Sequence, residues 1–192
     1  MAISDPESLT AAHDVSGFSC GKPALDRWLK TRALSNQEKG FTAVMVVHEA
    51  NKVVGYYGLA PTAVLPATLP RSIRTGQPPD PVPCLLLGQL AADQNYSGKG
   101  IGTGLLKHAL QRFVAAASLI GGRAFIVNAV DIEACEFLEA ARLYSFQRRS
   151  ADVVEVYRQH CGIDRPTFRI SRLNVDAASV LGRSEHTSIM RR

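Results

Sequence analysis

Gly98, Gly100, Gly102 and Gly104 alternate with other residues in the run SGKGIGTG. A glycine lets a main-chain N–H come close to a bulky anion, because no β-carbon stands between them. Behind the run, residues 103–119 carry Leu105, Leu106, Ala109, Leu110, Phe113, Val114 and Ala117 on one face of a helical period, with Lys107, His108, Gln111 and Arg112 off it. A helix starting here aims its unpaired N–H groups and its positive dipole end at the glycines. The chemistry served is retention of a pyrophosphate, and Lys99 adds a positive charge beside it. The phosphate-loop pattern GxxxxGK[ST] is absent. A dinucleotide fingerprint needs a parallel strand–helix–strand unit and an acidic residue about 20 positions on. A hairpin ahead of the turn argues against that.

Several elements must position this turn. Residues 84–93 (CLLLGQLAAD) are a buried strand leading into it, and residues 124–130 (AFIVNAV) are another beyond the helix. Gly121-Gly122 ends the helix, and DIEACEFLEAA reads as a further one. Upstream, Pro23 suits a first helical turn, and Leu25, Trp28, Leu29, Ala33 and Leu34 form its apolar stripe, with Trp28 as a core anchor. Residues 41–60 are two β runs around a turn at Asn51-Lys52. Residues 61–83 hold seven of the ten prolines and read as a loop bearing Arg71 and Arg74. The fold class is α/β, with an antiparallel start and no internal repeat.

The chain has 192 residues, enough for one domain with or without an appendage. Hydrophobic residues at 46% and charged residues at 20% favour a folded core. No apolar run reaches the roughly 20 residues of a membrane span, and the first residues have no secretory pattern. A cytoplasmic, membrane-free location is expected. Cys20, Cys84, Cys135 and Cys161 form no CxxC pair and read as reduced thiols, with no metal site. The net charge of +5 suits a polyanionic partner without requiring one.

The segment Ser97, Gly98, Lys99, Gly100, Ile101, Gly102 resembles the acetyl-coenzyme A loop Q/R-x-x-G-x-G/A of the GCN5-related N-acetyltransferase (GNAT) family, with Ser97 in place of the usual Gln or Arg. F-x-CG-x-x-x-LD-x-WL at Phe18–Leu29, VVGYYGLA at 53–60, LLLGQLAAD at 85–93 and GKGIG-x-x-LL at 98–106 resemble its toxin subfamily from bacterial toxin–antitoxin modules. The resemblance covers residues 15–137 and implies a mixed sheet with a V-shaped splay between two strands and helices on both faces. It implies acetyl-CoA held by main-chain groups of Leu90 and Ala92, with Ala91 between them, by residues 97–104 including Thr103, and by Asn128. It implies the α-amine of an aminoacyl-tRNA as acceptor, with Lys22, Arg27, Lys30, Arg32, Arg71 and Arg74 near tRNA phosphates. It also implies a ribbon-helix-helix antitoxin and a homodimer. Other amine acceptors, or an inactive remnant that binds CoA or antitoxin, are the alternatives.

The resemblance also implies a tyrosine that protonates the departing thiolate, within F-Y-x-x-x-G-F. Asp131, Glu133, Ala134 and Phe137 match the start of that helix, but Leu138 follows Phe137 and Tyr144 is the nearest tyrosine. From residue 135 to 192 there are ten arginines and no lysine, against six of each before it. Back-translated and read from the second base, residues 137–162 permit SWRRLGFIPS and onward, which after Phe137 restores the family string. The expectation is a core at 1–137 and a tail at 138–192 thrown out of frame by one inserted base. Such a chain has its closing strands missing or irregular and partial disorder beyond about residue 138.

Overall fold

The computed structural model describes residues 2–69, 71, 74, 76–129, 131–145, 153–159 and 168–171; for residue 139 and those from 141 onward it describes the backbone. One sheet runs in chain order through β1 (Glu7–Ser8), β2 (Ala43–Glu49), β3 (Lys52–Val64), β4 (Val82–Ala92), β5 (Ala124–Asn128), β6 (Val153–Gln159) and β7 (Phe168–Ser171). Pairing is antiparallel from β1 to β4, parallel from β4 to β6 and antiparallel between β6 and β7. Helix α1 (Pro23–Trp28) passes through a π-turn at Leu29–Ala33 into α2 (Leu34–Glu38). Helix α3 (Ile101–Ile120) joins β4 to β5, and α4 (Ile132–Ser145) joins β5 to β6.

Residues 44–47 of β2 are apolar and buried because both faces of the sheet are covered there. Val44 and Val46 pack with Phe18, Leu29, Ala33 and Tyr56 under the α1–α2 segment. Met45 and Val47 pack with Tyr57, Leu105, Leu110 and Phe113 under α3. Trp28 stacks on Tyr56, rings 5.8 Å apart and 10° from parallel. The hairpin turn sits one residue earlier than its expected position. Ala50 and Asn51 take φ of 48° and 66°, the pair of left-handed residues that a two-residue turn needs to match strand twist.

The proline-rich loop is shorter than its composition suggests. Strand β3 continues to Val64, pairing Pro61 with Leu85 and Val64 with Val82. Pro61 is tolerated because β2 pairs with β3 only as far as Leu59, leaving Pro61 on an open edge where no N–H is required.

The sequence expectation is of closing strands missing or irregular, and the first of these is corrected: two strands are present. Residues 153–159 pair with β5 from Ala124–Glu155 to Asn128–Gln159, and residues 168–171 pair with β6. The run VVEVYRQ is rich in β-branched and aromatic residues, and that local preference outweighs the unusual composition around it. The boundary expected after residue 137 falls inside α4. The reading of four reduced thiols is also corrected: Cys20 and Cys84 are free, whereas Cys135 is disulfide-bonded. Cys161 lies outside the described residues.

Candidate active site

Strands β3 and β4 slip register once. Gly58 faces Gln89 while Leu59 faces Leu87, so Gly88 is the extra residue of a bulge. Strand β4 pairs with β5 only at Leu85–Phe125, Leu86–Ile126 and Leu87–Val127. Pairing therefore stops where the bulge begins, and the strands part beyond it as the expected V. A cleft of about 290 Å³ fills the gap. Its walls are residues 87–92 of β4, Val127, Asn128 and Ala129 at the end of β5, Gly102 of α3, and Glu133, Ala134, Phe137 and Leu138 of α4. Cys20, Lys22 and Leu25 complete it from the α1 side.

Strand polarity decides which main-chain groups face this space. The Asp93 N–H donates to the Val54 carbonyl at 2.9 Å. Polar groups alternate sides along a strand, so those of Ala91 also point to β3, whereas those of Leu90 and Ala92 point into the cleft. Ala91 contributes wall but no main-chain bond there, and its side chain is in the core beneath α1.

At the cradle, Gly98 and Gly100 take φ of 74° and 76°, a left-handed conformation that glycine adopts at no steric cost. The amides of Ser97 and Lys99 are used by the preceding turn, bonding the carbonyls of Gln94 and Tyr96. The first helical bond of α3 is Gly104 N–H to the Gly100 carbonyl at 2.9 Å. The amides of Ile101, Gly102 and Thr103 precede it, and no side chain caps them. A β-carbon on Gly98, Gly100 or Gly104 would meet nothing within 4 Å, so the cradle is open and of a shape to take a diphosphate. Lys99 Nζ sits 4.3 Å from the centre of the Tyr96 ring. The Tyr96 hydroxyl donates to Glu49, which holds the phenol above its ordinary range. Ser97 is exposed beside the cradle, and Asn128 is exposed at the cleft edge.

At the mouth, the Lys22 ammonium pairs with Asp131 and lies 3.5 Å from Glu133. Burial works against its charge, but hydrogen bonding and attraction to Asp131, then Glu133, raise it above the usual lysine range. Asp131 is held below the usual carboxylate range by Lys22 and by the Ala134 N–H, which donates to it at 2.8 Å. Lys22 thus ties the α1 side to α4 rather than facing outward for phosphate. Burial, then Asp26, pushes the Cys20 thiol up to about 11. Arg27, Lys30, Arg32, Arg71 and Arg74 are exposed, and none pairs with a carboxylate among the described residues. Leu138, at the position the resemblance gives to tyrosine, is 7% exposed and lines the cleft. Tyr144 stands seven positions beyond Phe137 on α4, and its side chain lies outside the described residues.

Away from the cleft, Glu7 Oε1 lies 2.8 Å from His13 Nε2 and 3.0 Å from His48 Nε2. The Thr10 N–H donates to His13 Nδ1 and the Asn51 N–H to His48 Nδ1, so each ring carries its proton on Nε2 and donates it to Glu7. A metal-bound imidazole instead donates from its second nitrogen. This trio ties β1 to the hairpin.

Residues 9–144 match the profile of the acetyltransferase (GNAT) family. The chain belongs to this family. It is an acetyl-CoA-dependent N-acetyltransferase by fold and by sequence. This acetyltransferase is 42% identical over 134 residues to the tRNA-acetylating toxin of Mycobacterium tuberculosis (strain ATCC 25618 / H37Rv), covering 70% of this chain and 80% of that protein. Among solved structures it resembles AtaT complexed with acetyl-methionyl-tRNAfMet, with a TM-score of 0.66, 26% identity and coverage of 72% and 85% of the two chains. It also resembles a tyrosine-to-phenylalanine variant of AtaT bound to the C-terminus of the antitoxin AtaR and acetyl-CoA, with a TM-score of 0.61, 25% identity and coverage of 73% and 83%. No described helix is long and apolar enough to cross a membrane.

Proposed function

We propose that this acetyltransferase acts on the α-amine of an aminoacyl-tRNA, blocking the charged tRNA and arresting translation as a toxin. The observation that carries the reading is a cleft lined from both faces of the sheet. Gly102 and Phe137 line it from the face covered by α3, and Cys20, Lys22 and Leu25 from the face covered by α1. A donor held on one face and an amine arriving from the other meet inside it. The tRNA-acetylating relative and the AtaT complex with acetyl-methionyl-tRNAfMet support the choice of acceptor.

Acetyl-CoA, when bound, supplies the activated thioester. The main chain of Leu90 and Ala92 holds the pantetheine arm as an added strand. The amides of Ile101, Gly102 and Thr103 hold the diphosphate at the start of α3, flanked by Ser97, Lys99 and Asn128. Leu25, Leu90, Phe137 and Leu138 keep water out, which favours the neutral, nucleophilic form of the amine. In this reading Tyr144 protonates the departing thiolate. Exposed Arg27, Lys30, Arg32, Arg71 and Arg74 take tRNA phosphates. The setting is cytoplasmic, with a ribbon-helix-helix antitoxin as partner and a homodimer as the assembly.

A labelled-acetyl assay with mixed aminoacyl-tRNAs tests the reading. Label should appear on the charged tRNA and not on deacylated tRNA. Label on another amine alone, or none at all, overturns it. A specific observation favours one second reading. The apolar Leu138 at the acid position suits a chain that binds acetyl-CoA without turnover, and calorimetry combined with the same assay separates the two.

A further inference from the structure

Among the described residues Asp93 is the one buried charged side chain, at 5% exposure. It follows directly on Ala92. Its Oδ2 accepts the Ser19 N–H at 2.9 Å, a bond that spans 74 positions of sequence. Its Oδ1 accepts both the main-chain N–H and the side-chain amide of Asn95, each at 2.9 Å. Its neighbour completes the tie: the Gln94 N–H donates to the Ser19 carbonyl at 2.9 Å, and Gln94 Nε2 donates to Ser19 Oγ at 2.9 Å. Both main-chain groups of Ser19 are thus held by two consecutive residues at the end of β4.

The two segments meeting here are the two sides of the cleft. Cys20 and Lys22 follow Ser19 and form the wall on the α1 side. Asn95 belongs to the turn Gln94–Tyr96, whose carbonyls hold the Ser97 and Lys99 amides and deliver the chain into Gly100. We propose that Asp93 is a positioning residue that sets the acceptor wall and the diphosphate cradle against each other. The inference rests on the cleft's binding acetyl-CoA on one side and the acceptor on the other. A carboxylate is needed because three donors from two segments converge on one side chain. An anion accepts all three, whereas an amide turns an NH₂ toward one of them. A buried carboxylate that lost a donor would carry its desolvation cost uncompensated.

The test compares full-length wild type, Asp93→Asn and Asn95→Ala. It reads the acetyl-CoA Kd by calorimetry, the KM for aminoacyl-tRNA, and amide hydrogen exchange of the ligand-free chains. Asp93→Asn should raise both the Kd and the KM about tenfold. It should also speed exchange at 19–22 and 97–104 while leaving the β2–β3 hairpin unchanged. Asn95→Ala should raise the Kd alone. If Asp93→Asn lowers Tm but leaves Kd, KM and exchange in both segments at wild-type values, the residue is merely structural and the proposal falls. Should Asp93→Asn not fold, an unchanged Kd in Asn95→Ala overturns the proposal equally. A wild type that binds no acetyl-CoA sinks the reading of the cleft, and this inference with it. A wild type and an Asp93→Asn chain that bind it equally sink this inference alone.

Discussion

Gly102, in the first turn of α3, lies against the ring of Phe137 on α4: a β-carbon on Gly102 would stand 3.3 Å from Phe137 Cε2 and Cζ. The missing side chain therefore gives room to an aromatic ring that lines the cleft, a role separate from freeing the backbone for phosphate. Gly102→Ala should push the ring by a few tenths of an ångström into the cleft. The expected result is an acetyl-CoA Kd weakened by about three- to tenfold, with Tm little changed. Calorimetry checks it, and Gly102→Ala with Phe137→Leu should recover most of the loss.

Lys22 and Asp131 make the cleft mouth sensitive to acid. The Asp131 carboxyl is depressed, first by Lys22 and then by the Ala134 N–H. A depressed carboxylate contributes stability above its unfolded pKa, about 3.9 for aspartate. That stability is lost as pH falls through the folded value. Glu7, depressed by hydrogen bonds from His13 and then His48, behaves alike. Wild type should lose urea resistance between about pH 5 and pH 3. Asp131→Asn should flatten part of that slope and leave the part due to Glu7. An unaltered slope in Asp131→Asn would show that the pairing contributes nothing measurable.

Cys20 should be a poor nucleophile despite lining the cleft. With its thiol pushed up to about 11 by burial and then by Asp26, its thiolate fraction at pH 8 is about a hundredfold below that of an ordinary cysteine. The more basic thiolate regains part of that loss in nucleophilicity, so iodoacetamide followed by mass spectrometry should show alkylation of Cys20 slower by about tenfold or more, and slower again with acetyl-CoA present. Alkylation at the rate of a free thiol refutes this.

Tyr144→Phe tests the assigned proton donor. The expected loss is about 10²-fold or more in kcat, the scale of a general acid, with the acetyl-CoA Kd unchanged. A wild-type kcat moves the proton donor elsewhere in the cleft.

Much of the site is legible in the sequence because it depends on local pattern. The alternating glycines, the apolar stripe behind them and the buried strands on either side need no tertiary information, and they locate the cradle; the V is implied only by the family resemblance. The bulge at Gly88 is not legible, since it exists only in the register of β4 against β3. Nor is the pairing of Lys22 with Asp131, 109 positions apart; the family resemblance instead places that lysine near tRNA phosphates. Asp93 does carry a local signal, as a lone acid ending a buried strand directly before the glycine turn. The tail is legible in the opposite sense, through local preference and not through family pattern. Its arginine bias and lost family pattern point to a sheet cut short after β5, whereas the valines at 153, 154 and 156 carry enough β preference to continue it.

The strands lie side by side in the order in which they are translated. A ribosome therefore delivers one jaw of the cleft, β4 with the glycine cradle, well before the other. The facing jaw is complete only once Leu138 has emerged. A nascent chain that stops short of Leu138 therefore carries one jaw of the cleft without the whole of the other.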